Sequence, residues 1–330
     1  MRIAFVIQRY GSEILGGSEY HCRLVAERLA ARHEVEVLTT CARDYITLKN
    51  EYPEGEDRVR GVLVRRFPNA EARDIAAFNR YSDWIFHHDH VREDEMEWLR
   101  RQGPWSPALS EYFERRHGSY DILIFFTYLY APTVLGLRVA PARSILVPTA
   151  HDEPAIHLGI YEDVFTLPAG IAFNTAAERR FLTARFEIKA AAQEIVGCGV
   201  DLPQHTAYAR DQRDAEGQRG ADNGSAEGEA PQPRQRSPLS ARGAVFRRRH
   251  RIHGPFALYG GRIEKGKGCE ELIEYFKAYV DDGGEATLAL MGVKLMPLPE
   301  DPFVNFAGLL SDRERAAALE AATVVVVPSP

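Results

Sequence analysis

Short apolar runs alternate with stretches whose apolar residues return every three or four positions, and this rhythm occupies most of the chain. An unbroken apolar run fits a strand covered on both faces, and the longer period fits a helix lying on the sheet. The first unit shows both. Ile3-Ala4-Phe5-Val6-Ile7 predicts a strand, residues 10–18 a loop, and Cys22, Val25, Ala26, Leu29 and Ala30 one face of a helix. Further strands are predicted at 35–39, 62–67, 122–127, 144–148, 170–173 and 194–196. Residues 78–117 break the rhythm with a charged, aromatic, helical segment, read either as cover for the sheet or as a ligand-specific insertion.

From 203 to 253 the pattern stops. Gln, Arg, Asp, Glu, Gly, Ser and Pro dominate and aromatic residues nearly vanish, so this stretch is expected to be a polar, disordered linker. Arg247-Arg248-Arg249-His250-Arg251 at its end reads as a solvated helix face. The rhythm then restarts. Phe256-Ala257-Leu258-Tyr259 predicts a strand, Leu272, Ile273, Phe276, Tyr279 and Val280 a helix face, and 287–291 and 304–306 two more strands. Ser311-x-x-Glu314 has the form of a capping box, and 324–327 predicts a last, buried strand. The fold class expected is α/β, with two Rossmann-like domains of parallel sheet: residues 1–202, the linker 203–253, and a partial second domain at 254–330.

Composition narrows the chemistry. With 41 Lys and Arg against 47 Asp and Glu the net charge is −6, which gives no general basic field for a nucleic acid. The four cysteines at 22, 41, 198 and 269 lack the pairing of a zinc site or a disulfide scaffold and suit a reducing compartment, so a cytoplasmic protein is expected. Residues 122–137 are too short and too interrupted for a membrane span.

Three constellations carry candidate chemistry. Gly16-Gly17-Ser18-Glu19 lies between a strand and a helix, where glycines admit a ligand to the backbone and the helix N-terminus favours an anion. It is neither the Gly-x-Gly-x-x-Gly of a dinucleotide site nor a phosphate-binding P-loop. Gly260-Gly261-Arg262-Ile263-Glu264-Lys265-Gly266-Lys267-Gly268 repeats the arrangement with cations added, a set able to hold a diphosphate without a metal. His151, in Thr149-Ala150-His151-Asp152, follows a strand and is better placed than most histidines to meet a sugar hydroxyl or exchange a proton. His87-His88-Asp89-His90 has metal-ligand residue types, but neighbouring helical positions diverge, so no metal site is expected.

In this order, Gly16-Gly17-x-Glu19, His151-Asp152, Gly197-Cys198-Gly199-Val200-Asp201, Gly261-Arg262 with Lys267-Gly268, Phe306-x-Gly308 before Ser311-Asp312, and Val327-Pro328-Ser329 resemble glycosyltransferase family 4. The resemblance implies a retaining, metal-independent enzyme of GT-B architecture with no cofactor. Its donor is a nucleoside-diphosphate sugar and its acceptor a glycan or lipid-linked sugar, as in polysaccharide biosynthesis. A lipid-linked acceptor would bring it to the inner face of a membrane. It further implies that Arg262 and Lys267, with Gly16 and Gly17, bind the donor diphosphate, that His151 is catalytic, and that Gly308, Leu309 and Leu310 flank the nucleobase. The family carries two glutamates beyond the equivalent of Pro328-Ser329, so a C-terminally truncated chain is expected. A sugar-nucleotide epimerase of the same fold and a non-catalytic nucleotide-sugar-binding protein are the alternatives.

Overall fold

The computed structural model describes residues 1–14, 16–199 and 241–328. The chain divides into two compact units, Met1–Asp201 and Leu202–Pro330.

The first unit is built on an eight-stranded sheet. Its strands are β1 (Arg2–Ile7), β2 (Glu34–Thr40), β3 (Gly55–Val59), β4 (Val62–Phe67), β5 (Ile122–Phe126), β6 (Ser144–Val147), β7 (Gly170–Phe173) and β8 (Ala192–Ile195), in the order β3-β4-β2-β1-β5-β6-β7-β8. All pairings are parallel except β3 with β4. Residues 3–7 of β1 are fully buried because alternate side chains enter different cores. Ala4 and Val6 join one cluster, whereas Ile3, Phe5 and Ile7 join the other beneath α1 (Gly17–Ala30). The chain leaves β1 for β2 on one side and returns to β5 on the other, so β1 and β5 bracket the topological switch point, where sheets of this class bind ligands.

The interrupting segment is three helices, α2 (Ile75–His87), α3 (Arg92–Gln102) and α4 (Pro107–Arg116). Asp74 caps α2 by accepting from Ala77 N at 3.0 Å, and Ser106 caps α4 ahead of Pro107. Their apolar faces, through Ile85, Trp98, Leu99, Leu109 and Phe113, close one side of the sheet. Helices α5 (Ala131–Val139), α6 (Glu162–Thr166) and α7 (Ala176–Arg185) complete the unit. Strand β3 was not legible in Gly-Glu-Asp-Arg-Val. It is an edge strand joined to β4 through Arg60 and Gly61, both with positive φ, the conformation that tight hairpins favour.

The second unit has four parallel strands, β9 (Phe256–Gly260), β10 (Thr287–Met291), β11 (Val304–Gly308) and β12 (Val324–Val325), ordered β11-β10-β9-β12. Two corrections apply. The expected linker runs too far: 203–240 lie outside the described residues, but Ala241–Arg249 is a helix, α8, with Phe246 buried and stacked on Phe256 at 6.1 Å. Arg247 is not solvated as expected; it donates to Gly254 O at 2.5 Å and Ala321 O at 2.8 Å. The apolar contacts of α8 are few, and its arginines mask them in any count of composition. The last strand is not buried either. Among the described residues β12 pairs only with β9, and Val324 and Val325 are about half exposed at the sheet's edge. Helix α9 (Cys269–Asp281) covers one face of this sheet, and α10 (Asp312–Ala321), opened by the Ser311/Glu314 capping box, packs with α8 on the other.

Candidate functional site

Each unit gathers its candidate residues at the carboxyl ends of its parallel strands. In the second unit the chain leaving β9 doubles back along the tips of β10 and β11. Gly261 N donates to Met291 O at 3.0 Å, Ile263 N to Val293 O at 2.8 Å, and Gly292 N to Gly308 O at 2.9 Å. Tyr259 fixes the loop from below, its hydroxyl donating to Arg262 O at 2.7 Å. Burial, with Cys269 alongside, raises the phenol pKa, which keeps the hydroxyl a donor.

The glycines here meet different demands. Gly292 has φ +135°, and a Cβ on it would lie 1.8 Å from Gly261 O. Gly268 has φ +67°, and its Cβ would lie 2.5 Å from Pro328 O. Gly268 also precedes α9, so the unpaired N–H groups of that helix open at the loop's end. Arg262 is ion-paired with Glu264 at 3.1 Å, and Lys265 with Glu270 at 2.8 Å. Lys267 has no carboxylate within 4 Å among the described residues, so its ammonium is the cation of this loop left without one. Arg262 and Lys267 therefore share one short loop with a helix N-terminus. Gly308 closes the tip of β11 at φ +80°, Leu309 is exposed, and Leu310 buries its side chain in the core, leaving only its backbone for a ligand. Exposed Phe306 and Val293 stand by the same tips, with Lys294 Nζ 5.6 Å from the Phe306 ring centroid.

In the first unit Gly16 is the N-cap of α1 and Gly17 its first residue. Gly16 has ordinary extended backbone, but a Cβ there would fall 1.9 Å from Glu19 Oε2. Glu19 is buried and accepts from Arg9 Nη2 at 2.6 Å, Gln8 Nε2 at 3.0 Å and Ser18 Oγ at 2.9 Å. It is thus a structural pin binding the loop after β1 to its helix. Among the described residues, nothing beyond its chain neighbours and its own helix backbone lies within 4 Å of a Cβ on Gly17.

His151 lies on the loop after β6, on the same carboxyl edge as Gly16 and Gly17 and two strands away. Its side chain is 66% exposed, with Nε2 3.8 Å from Glu153 Oε2. Glu153 in turn accepts from Tyr128 Oη. Glu178, at the start of α7, holds the loop from beneath by accepting from Ala150 N at 2.6 Å and Asn174 N at 2.5 Å. Burial raises the Glu178 pKa, the backbone donors opposing it. Sequence reasoning missed Glu178, Gly292 and the role of Glu19, because each acts on a residue brought to it by folding or by packing within a turn. His87, His88 and His90 each turn Nδ1 to a nearby backbone carbonyl oxygen, and no cluster of three metal-ligand residues occurs among the described residues. No helix among them is long and apolar enough to cross a membrane.

No family model and no curated protein sequence matches the chain. Solved structures do. The chain is similar to the α,α-trehalose 6-phosphate synthase of Burkholderia multivorans, with a TM-score of 0.53 at 13% identity over 99% of this chain and 77% of that one. It is similar too to the α,α-trehalose-phosphate synthase (UDP-forming) of Burkholderia vietnamiensis, with a TM-score of 0.53 at 12% identity over 99% and 76%. At such identities the likeness establishes the fold: α/β with parallel sheets, of the GT-B, Rossmann-like kind.

Proposed function

We propose that the protein is a glycosyltransferase that moves a sugar from a nucleoside-diphosphate sugar to a glycan or lipid-linked acceptor, with retention and without a metal. The observation that carries this reading is the loop from Gly260 to Gly268. Arg262, Lys267 and the N-terminus of α9 converge there on backbone that the tips of β10 and β11 hold in place. Leaving-group departure puts negative charge on the diphosphate. Fixed cations and helix N–H groups favour that charge more than the ground state, which lowers the barrier. Two solved structures of the same fold are named as trehalose-phosphate synthases, one as UDP-forming, which agrees with a nucleotide leaving group.

In this reading Gly16 and Gly17 are also diphosphate-binding residues, His151 contacts the transferred sugar, and Gly308, Leu309 and Leu310 flank the base. Exposure of His151 leaves its imidazole available to substrate. Calorimetric titration with UDP and GDP tests the assignment. Arg262→Ala and Lys267→Ala should each weaken nucleotide binding about tenfold or more, the size of a lost charged hydrogen bond. Equal affinity in wild type and both variants would sink it. Turnover of a nucleotide sugar should survive EDTA, and the product's anomeric configuration reports retention.

A further inference from the structure

The helical segment of the first unit borders an open cleft of about 230 Å³ that the proposed donor chemistry does not use. Leu48 and residues 72–74, on the chain leaving the tips of β2 and β4, form one side. Helices α2 and α3 form the others, and Trp105 closes the end. A second hollow of about 350 Å³ shares Trp105, Glu97 and Arg100 and adds Met96. The half-buried indole therefore lines two adjoining spaces on the ligand-binding edge of the sheet.

The cavity wall is formally neutral, Arg73, Arg100 and Arg101 against Glu71, Asp74 and Glu97, but not every charge on it is paired. Arg100 pairs with Glu71 at 3.1 Å and Arg101 with Glu97 at 2.8 Å, while Asp74 is committed to capping α2. Arg73 has no carboxylate within 4 Å among the described residues. Its Nη2 donates to Tyr45 O at 2.6 Å, and its guanidinium faces the rings of Tyr45 at 5.4 Å and Phe78 at 5.7 Å. The other face-on cation at Tyr45 is Arg9, at 5.3 Å, itself ion-paired with Glu19 at 2.6 Å. Asp44 lies close, but its carboxylate accepts from Thr47 N and Oγ1 at 2.6 and 2.7 Å. A largely buried guanidinium lacking a direct counter-ion attracts an anion, and its planar fork matches a carboxylate or phosphate.

We propose that this cavity binds an acidic sugar, its ring against Trp105 and its carboxylate or phosphate on Arg73. The ring's apolar face suits the indole, and the ion-paired Glu97 and Arg100 form the polar part of the shared wall. As the acceptor subsite of a transferase the assignment rests on the function proposed above, but its test uses no donor.

The full chain is titrated calorimetrically with glucuronic acid, glucose 6-phosphate, glucose and inorganic phosphate. At least one acidic sugar should bind tenfold or more tighter than glucose and than phosphate, and which one wins identifies the anion. Arg73→Gln should abolish that preference and Arg73→Lys retain part of it, whereas Trp105→Leu should weaken acidic and neutral sugars alike. Thermal melts confirm that each variant is folded. Binding of glucose as tight as both acids, phosphate binding as tight as the sugars, or an intact preference in Arg73→Gln overturns the proposal. Absence of any binding at millimolar ligand overturns it as well. UDP affinity should be the same in wild type and Arg73→Gln. Loss of UDP binding in the wild type itself would count against the donor site and leave this result standing.

Discussion

Gly292 is the position at which a single methyl group should do most damage to the donor loop. In Gly292→Ala the new Cβ would stand 1.8 Å from Gly261 O and 2.8 Å from Gly261 C, where ordinary contacts begin at 3.4 Å. Gly261 would have to retreat by roughly 1.6 Å, the difference between those two distances for its oxygen. The obstacle is backbone on both sides, so no rotamer change relieves it. Such a shift threatens the 3.0 Å Gly261–Met291 hydrogen bond that ties the loop to the tip of β10. Overpacking costs about 1–3 kcal/mol and a side chain at φ +135° about 1–3 kcal/mol more, so a loss of about 2–6 kcal/mol is expected. Urea denaturation followed by circular dichroism measures this loss, and calorimetry should show UDP affinity falling at least tenfold because Arg262 adjoins the displaced residue. Gly266→Ala is the stability control, since nothing among the described residues beyond its chain neighbours lies within 4 Å of its Cβ. Wild-type stability and affinity in Gly292→Ala would refute the reasoning, as would an equal stability loss in the control.

Two other glycines make a contrasting pair. Gly16→Ala drives a methyl group into the pinned carboxylate of Glu19 and should cost about 1–3 kcal/mol, whereas Gly17→Ala enters open space at the start of a helix and should be neutral or slightly stabilising in the same urea assay. Phe246→Ala should cost about 3–5 kcal/mol if α8 belongs to the core of the second unit; a loss under about 1 kcal/mol would mark it as a surface helix. Glu178 supplies a pH signature. Its folded pKa lies above the ordinary 4.5, so the folded state holds the proton more tightly; its contribution is fully present below the unfolded pKa and is lost as pH rises through the raised value. Glu178→Gln should remove that slope just above pH 4.5 and, by presenting an amide N–H to a backbone donor, cost about 1–3 kcal/mol at neutral pH. Melting curves across pH 4–7 report both effects.

What the sequence revealed follows a physical divide. β1 was legible because both of its faces are buried, which writes an uninterrupted apolar run. β3 was not, because an exposed edge strand places no such demand on its residues, and α8 was lost because Phe246 and Gly243 are its only buried positions among the arginines. β12 failed in the opposite direction. Four successive valines read as a central strand, yet the hydrogen bonds that decide edge or centre belong to its neighbours. The same divide runs through the site. Gly260 to Gly268 was visible because strand, loop, cations and helix are contiguous. Glu178 meets Ala150 from 28 positions away, and Gly292 meets Gly261 only across paired strands, so neither leaves a local signal.

Sorting the site's glycines by what fills the place of the missing side chain separates structure from function. At Gly16, Gly268 and Gly292 the protein's own atoms occupy it, and at Gly308 a positive φ explains the residue with space to spare. Gly17 and Gly266 are different: their Cβ positions are open and their φ values lie outside the left-handed range, so neither packing nor conformation calls for glycine. Close approach of a ligand to the backbone is the remaining physical reason. Gly266 stands beside Lys267 on the loop assigned to the diphosphate, which makes it the sharper case. Gly266→Ala should therefore leave urea stability within about 0.5 kcal/mol of wild type and still weaken UDP binding severalfold. A glycine that merely lets the loop form predicts the reverse, lost stability with affinity following it. Unchanged affinity in a fully stable Gly266→Ala would remove the nucleotide from this part of the loop and confine the diphosphate to Arg262 and the strand tips.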